Sequence, residues 1–139
     1  MSDAPRPEVV DFFRRYEAVA ADGSRSDELL TIFHPTFLAV DPSTVSTVPV
    51  ERLIATLPAR EQLFAAHGVT GMRLESVRES PIDAVHTLAD TTWSLQPDGG
   101  EVVTSTFLLR LEGGEWRILV YLNHHNIRDV LEECSRLHS

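Results

Sequence analysis

Lysine is absent from this 139-residue chain: all 12 basic residues are Arg, set against 21 Asp and Glu, for a formal charge of −9. Phosphate binding draws on a basic stripe that such a chain lacks, so neither nucleic acid nor an anionic membrane is expected as a partner. A single cysteine, Cys134, excludes an intrachain disulfide framework. No apolar run approaches the ~18 residues of a membrane span. The opening MSDAPRPEVV has neither the basic nor the apolar region of a secretory leader, and cytoplasm is the expected compartment. Gly-rich phosphate loops, nucleophile elbows, HExxH and CxxC are also missing, which leaves phosphoryl transfer, serine hydrolysis and zinc chemistry without support. The adjacent pair His124-His125 does not change this, because successive strand residues face opposite sides and cannot chelate together. No metal and no cofactor are expected.

The chain does hold the apolar content of one folded domain, expected over residues 1–139, with 42% hydrophobic and 24% charged residues. Val9, Phe12, Phe13, Tyr16, Val19 and Ala20 recur at intervals of three and four, which predicts an amphipathic helix over residues 7–21 with Pro7 in its first turn. A second helix, capped by Ser26, is expected to run to Phe33 and stop at His34-Pro35. Residues 37–40 read as a brief strand ending at Asp41-Pro42, and residues 43–48 as a polar loop. Leu53, Ile54, Leu57, Leu63 and Phe64 predict a third helix over residues 49–66, kinked or split at Pro58. Residues 125–137 suit a short closing helix or an ordered tail.

From Val69 onward the hydrophobic period becomes two, and turn signals at Glu79-Ser80-Pro81, Pro97-Asp98-Gly99-Gly100 and Gly113-Gly114 divide the segment into four strands. Alternation places Thr91 and Trp93 on one face of their strand, Ser105 and Phe107 on one face of the next, and Ile118, Val120, Leu122 and His124 on one face of the last. These eight residues are the expected lining of an apolar pocket bearing a few polar groups. Leu119 and Tyr121 then fall on the other face. Apolar residues on both faces imply that both sides of the sheet are covered, one by helices and one by a second copy of the chain.

Helices first, then a short strand, a helix and a run of long strands is an α+β order, a curved antiparallel sheet wrapped around N-terminal helices like a cone. The strings FFRRYEAVAADG, LLTIFHPTFLAVDP and LEGGEWRILVYLNHHNI, in that order and spacing, resemble the nuclear transport factor 2-like, cystatin-like superfamily over roughly residues 9–127. That superfamily includes ketosteroid isomerases and SnoaL-like cyclases. In the isomerases a first-helix Arg-Tyr supplies the tyrosine that donates to an enolate oxygen, and an Asp-Pro after the first strand supplies the base. The matching residues are Arg15-Tyr16 and Asp41-Pro42. Where those enzymes place a protonated aspartate in the oxyanion hole, counting back from Arg110 finds Phe107, which cannot donate. The acidic residue of SnoaL-like cyclases is matched by Asn123, which cannot act as a general base.

Two readings follow. One is a cofactor-independent isomerase or cyclase of a small apolar molecule, with Asp41 as general base and Tyr16 as the donor to an enolate. The other is a non-catalytic dimeric module for ligand binding or protein association. Tyr16 fits equally a core tyrosine, and Asp41 equally an Asx turn before Pro42.

Overall fold

The computed structural model describes residues 4–97 and 101–137, so most of the expected turn at Pro97-Asp98-Gly99-Gly100 lies outside the described residues. Its elements run α1 (Pro7–Ala20), a 3-10 turn (Gly23–Glu28), α2 (Leu29–Ile32), β1 (Phe33–Val40), β2 (Val45–Pro49), α3 (Val50–Ala66), β3 (Gly71–Pro81), β4 (His86–Gln96), β5 (Val102–Glu112), β6 (Glu115–Asn123) and α4 (Ile127–Leu137). The six strands form one mixed sheet in the order β2-β1-β6-β5-β4-β3, and α1 and α3 pack against its inner face. β1 and β6 run parallel, while the other neighbours are antiparallel. The sheet is therefore not wholly antiparallel, because β1 and β6 are joined through the rest of the sheet rather than by a hairpin.

The first helix forms as its spacing demands. Pro7 opens it, where a missing N–H costs nothing, and Val9, Phe12, Phe13 and Val19 are buried on its inner face. The second helix is shorter than expected. Asp22 rather than Ser26 caps the turn, accepting from the Ser24 N–H at 3.0 Å, and the chain is already extended at Phe33. Residues 45–49 are not loop but strand β2, whose Val45–Pro49 pairs with Val40–Thr36 as a sheet edge. Proline at its last position is compatible with an edge, where no ladder donor is required. Helix α3 runs unbroken through Pro58. Pro58 itself lies on the exposed side of the helix.

The last hairpin turns on Gly113 and Gly114 at φ +57° and +83°, the left-handed pair that a two-residue connection between twisted strands needs. Helix α4 closes a second, smaller cluster in which Leu131 and Cys134 pack with Phe64, Val69 and Leu95.

Strand β6 contains the feature that most affects the site. Leu109 stands opposite Ile118 but Leu108 stands opposite Val120, so Leu119 is an extra residue, a β-bulge. Alternation reverses there. Trp116 and Ile118 share the inner face with Leu111 and Leu109, and beyond the bulge Tyr121 and Asn123 share it with Phe107 and Ser105. Val120, Leu122 and His124, expected inside, lie on the outer face. A matching irregularity in β3 between Leu74 and Ser76 turns Leu74, Val77 and Glu79 inward.

The carboxylate Glu79 is buried, opposite Ala89 on β4. It accepts from the backbone N–H, Nε and Nη2 of Arg6 and, at 2.6 Å, from the Thr87 hydroxyl. Arg6 also lies over the Trp116 ring, 5.3 Å from its centroid. Desolvation alone would push the Glu79 carboxyl up, but these hydrogen bonds and the Arg6 charge hold it below the ordinary carboxylate range.

Candidate functional site: a cavity between helices and sheet

The inner face of the sheet does not close completely on α1 and α3. Between them lies a cavity of about 630 Å3, within the range of roughly 300–1,000 Å3 usual for small-molecule sites. Its floor is Trp93, Val103, Ser105, Phe107, Tyr121 and Asn123 from β4, β5 and β6. Tyr16 and Glu17 come from α1, and Leu53, Leu57, Arg60 and Phe64 from α3.

The aromatic wall is held by edge-on packing. The Tyr16 ring stands nearly perpendicular to Phe33, Trp93 and Phe107 at centroid distances of 5.6, 6.0 and 6.0 Å. Phe107 and Tyr121 lie 4.7 Å apart. Burial pushes the Tyr16 hydroxyl above the ordinary phenol range, and neighbouring Tyr121 adds to this against the opposing pull of Arg60. Tyr16 is thus a neutral hydroxyl, able to donate, at any physiological pH.

Of the residues picked out from sequence, Tyr16, Trp93, Ser105 and Phe107 line the cavity. Thr91 is buried but lies behind the wall. It accepts from Trp93 Nε1 at 2.8 Å and donates to the Ser105 carbonyl at 3.1 Å, which fixes the indole. Ile118 is fully buried in the core instead of lining the space. Val120, Leu122 and His124 are carried outward by the bulge. His124 there meets the hydroxyls of Thr104 and Thr106 at 2.7 and 2.8 Å.

Asp41 is not brought to Tyr16, and it is not part of the cavity lining. Its Oδ1 accepts from the backbone N–H groups of Ser43 and Thr44, both at 2.8 Å, and from the Thr44 hydroxyl at 3.1 Å. This is an Asx turn that reverses the chain between β1 and β2. The Ser43 N–H, followed by the Thr44 donors, outweighs desolvation and holds the Asp41 carboxyl below the ordinary range, opposite to the shift that would prepare a base.

Among the cavity residues that escape the alternation and periodicity read from sequence are Arg60, Tyr121 and Asn123. Tyr121 and Asn123 are concealed by the bulge. Arg60 carries a legible signal, a basic charge on the stripe Leu53, Leu57, Phe64 of helix α3. Its guanidinium lies over the Phe64 ring, 5.2 Å from the centroid. Desolvation opposes its charge, and electrostatic interaction with Tyr121 and Tyr16, with a hydrogen bond to Tyr121, shifts the balance back toward the charged form. Among the described residues no carboxylate forms an ion pair with Arg60. Of the two acids on the lining, Glu17 is engaged by Arg14 at 3.2 Å and by the Leu74 N–H at 2.5 Å, and Glu61 is exposed.

No family model matches the chain, and no curated protein does. Solved structures do. A nuclear transport factor 2-like protein of unknown function from Shewanella oneidensis superposes with a TM-score of 0.64 at 10% identity, covering 85% of this chain and 97% of its own. A nuclear transport factor 2-like protein with a cystatin-like fold from Novosphingobium aromaticivorans gives 0.62 at 16% identity, with 89% and 86% covered. A Xanthomonas campestris protein described as a calcium/calmodulin-dependent protein kinase II association domain gives 0.60 at 14% identity, with 91% and 95% covered. At these identities the likeness is one of architecture. The chain has the nuclear transport factor 2-like, cystatin-like fold.

Proposed function

We propose that this protein binds a small, mostly apolar molecule in the cavity between α1, α3 and the inner face of the sheet. The observation that carries the reading is the 630 Å3 space itself, walled by Trp93, Phe107, Val103, Leu53 and Leu57 with a few polar groups among them. Binding without conversion is favoured over turnover by Asp41. That carboxylate would have to leave the Asx turn it closes, and no other sequence-matched base stands beside Tyr16. Dodecanol titrated against the intrinsic fluorescence tests the reading, because Trp93 lines the cavity and Trp116 does not. A saturable change in emission that disappears in Trp93→Phe is the expected result. An emission spectrum unmoved to the solubility limit of the alcohol removes the reading.

The proposal extends to the outer face of the sheet. Register sets Leu88 opposite Leu108, Leu108 opposite Val120 and Val120 opposite Leu38, an apolar row across four strands. A second copy of the chain is the occupant that this row suits, since a self-complementary patch forms a two-fold dimer.

A further inference from the structure

We infer that the molecule bound in the cavity is a monoanionic amphiphile, an apolar body ending in a carboxylate that pairs with Arg60. This rests on the reading of the cavity as a ligand site and adds the chemical class of its occupant.

The argument begins with what Arg60 faces. It lines the cavity from α3, as Tyr16 does from α1 and Tyr121 and Asn123 from β6, and it is half-buried with Phe64 stacked on one side. A guanidinium cannot shed its proton to escape a poorly solvated place, and it presents a planar fork of N–H donors. The tyrosine hydroxyls supply dipoles but no counter-charge. No carboxylate among the described residues forms an ion pair with this charge, and an anion in the cavity would supply its counter-charge. A ligand carboxylate matches the fork with two parallel hydrogen bonds, while the Tyr16 and Tyr121 hydroxyls and the Asn123 amide can donate to the same oxygens.

The charge of the ligand follows from the rest of the lining. Arg60 is the sole basic residue among those that line the cavity, and Glu17 and Glu61 are its acids. One cation neutralises one negative charge. A phosphate monoester would bring a second charge into a largely apolar space, with no second cation among the lining residues to meet it.

The test is isothermal titration with straight-chain acids from hexanoate to dodecanoate, the matching primary alcohols, and one alkyl phosphate. Wild-type protein is expected to bind the best acid about tenfold or more tighter than the alcohol of equal length, the discrimination typical of a hydrogen bond to a charged group. Arg60→Met, which keeps the apolar stem, is expected to lose that preference, so that acid and alcohol of equal length bind alike. Alcohol and acid binding equally well to wild type would overturn the anion assignment while leaving the cavity reading intact. So would a preference for the acid that survives in Arg60→Met, or an alkyl phosphate bound tighter than the acid. If neither series binds, both the cavity reading and the anion assignment fall.

Discussion

Phe107 and Tyr121 face one another across the β5–β6 pair, ring centroids 4.7 Å apart, although simple alternation from Trp116 and Ile118 would place Val120 on that wall. The extra residue at Leu119 accounts for the exchange. It turns a tyrosine and an asparagine toward the cavity and an apolar row toward the outside.

The bulge predicts unequal damage from one substitution at two positions of apparently equal parity. Ile118 is fully buried, so Ile118→Asp introduces a carboxylate into the core and is expected to cost about 4 kcal/mol or more, much of the stability of a typical domain. Val120→Asp sits on the outer face and is expected to leave a cooperatively folded chain. Circular dichroism melts compare them. Similar unfolding of both would show that alternation runs through Leu119 uninterrupted.

The same Val120→Asp variant reports on the outer row. Wild type is expected to sediment as a dimer and Val120→Asp as a monomer with an unchanged far-ultraviolet spectrum. A wild-type monomer at the highest soluble concentration would contradict the second-copy proposal.

Asp41→Asn keeps an oxygen that can accept from Ser43 and Thr44, so the Asx turn survives. Ligand affinity in the cavity is expected to stay within about twofold of wild type, because the residue lies outside the lining. A tenfold change in binding, measured by titration, would place Asp41 in the site after all.

Glu79 gives the acid limb of stability a specific origin. Its folded-state pKa lies below the ordinary Glu value of about 4.3, so its contribution is complete above that pH and is lost as pH falls through the folded value. Glu79→Gln is expected to cost about 1–3 kcal/mol at neutral pH by weakening the bonds to Arg6 and Thr87. The gap between wild-type and variant melting temperatures should narrow below about pH 4. A gap that stays constant through that range would mean that Glu79 does not titrate with folding.

The parts of this molecule legible in sequence are those where a local rule acts alone. The spacing of Val9, Phe12, Phe13, Tyr16 and Val19 specifies α1, and Gly113-Gly114 specifies the last hairpin. The fold was readable from the order of such elements. The cavity wall was only half readable, because alternation carries no mark of a bulge, and a one-residue insertion at Leu119 moves Val120, Leu122 and His124 out together. Asp41 read two ways for a different reason. The same Asp-Pro that matches a catalytic pattern is also the ordinary chemistry of a turn, and only the donors at Ser43 and Thr44 distinguish the two. Arg60 left the clearest unused signal, a charge within the stripe Leu53, Leu57, Phe64, just as Glu79 interrupts the inward face after Val77.

The central claim, that the cavity holds a small amphiphile, is tested most directly by native mass spectrometry of the protein after saturation with dodecanoate and removal of the excess. The account predicts one dodecanoate per chain, released on denaturation and retained far less by Arg60→Met. A spectrum showing only the mass of the bare chain, under conditions gentle enough to preserve non-covalent complexes, would contradict it.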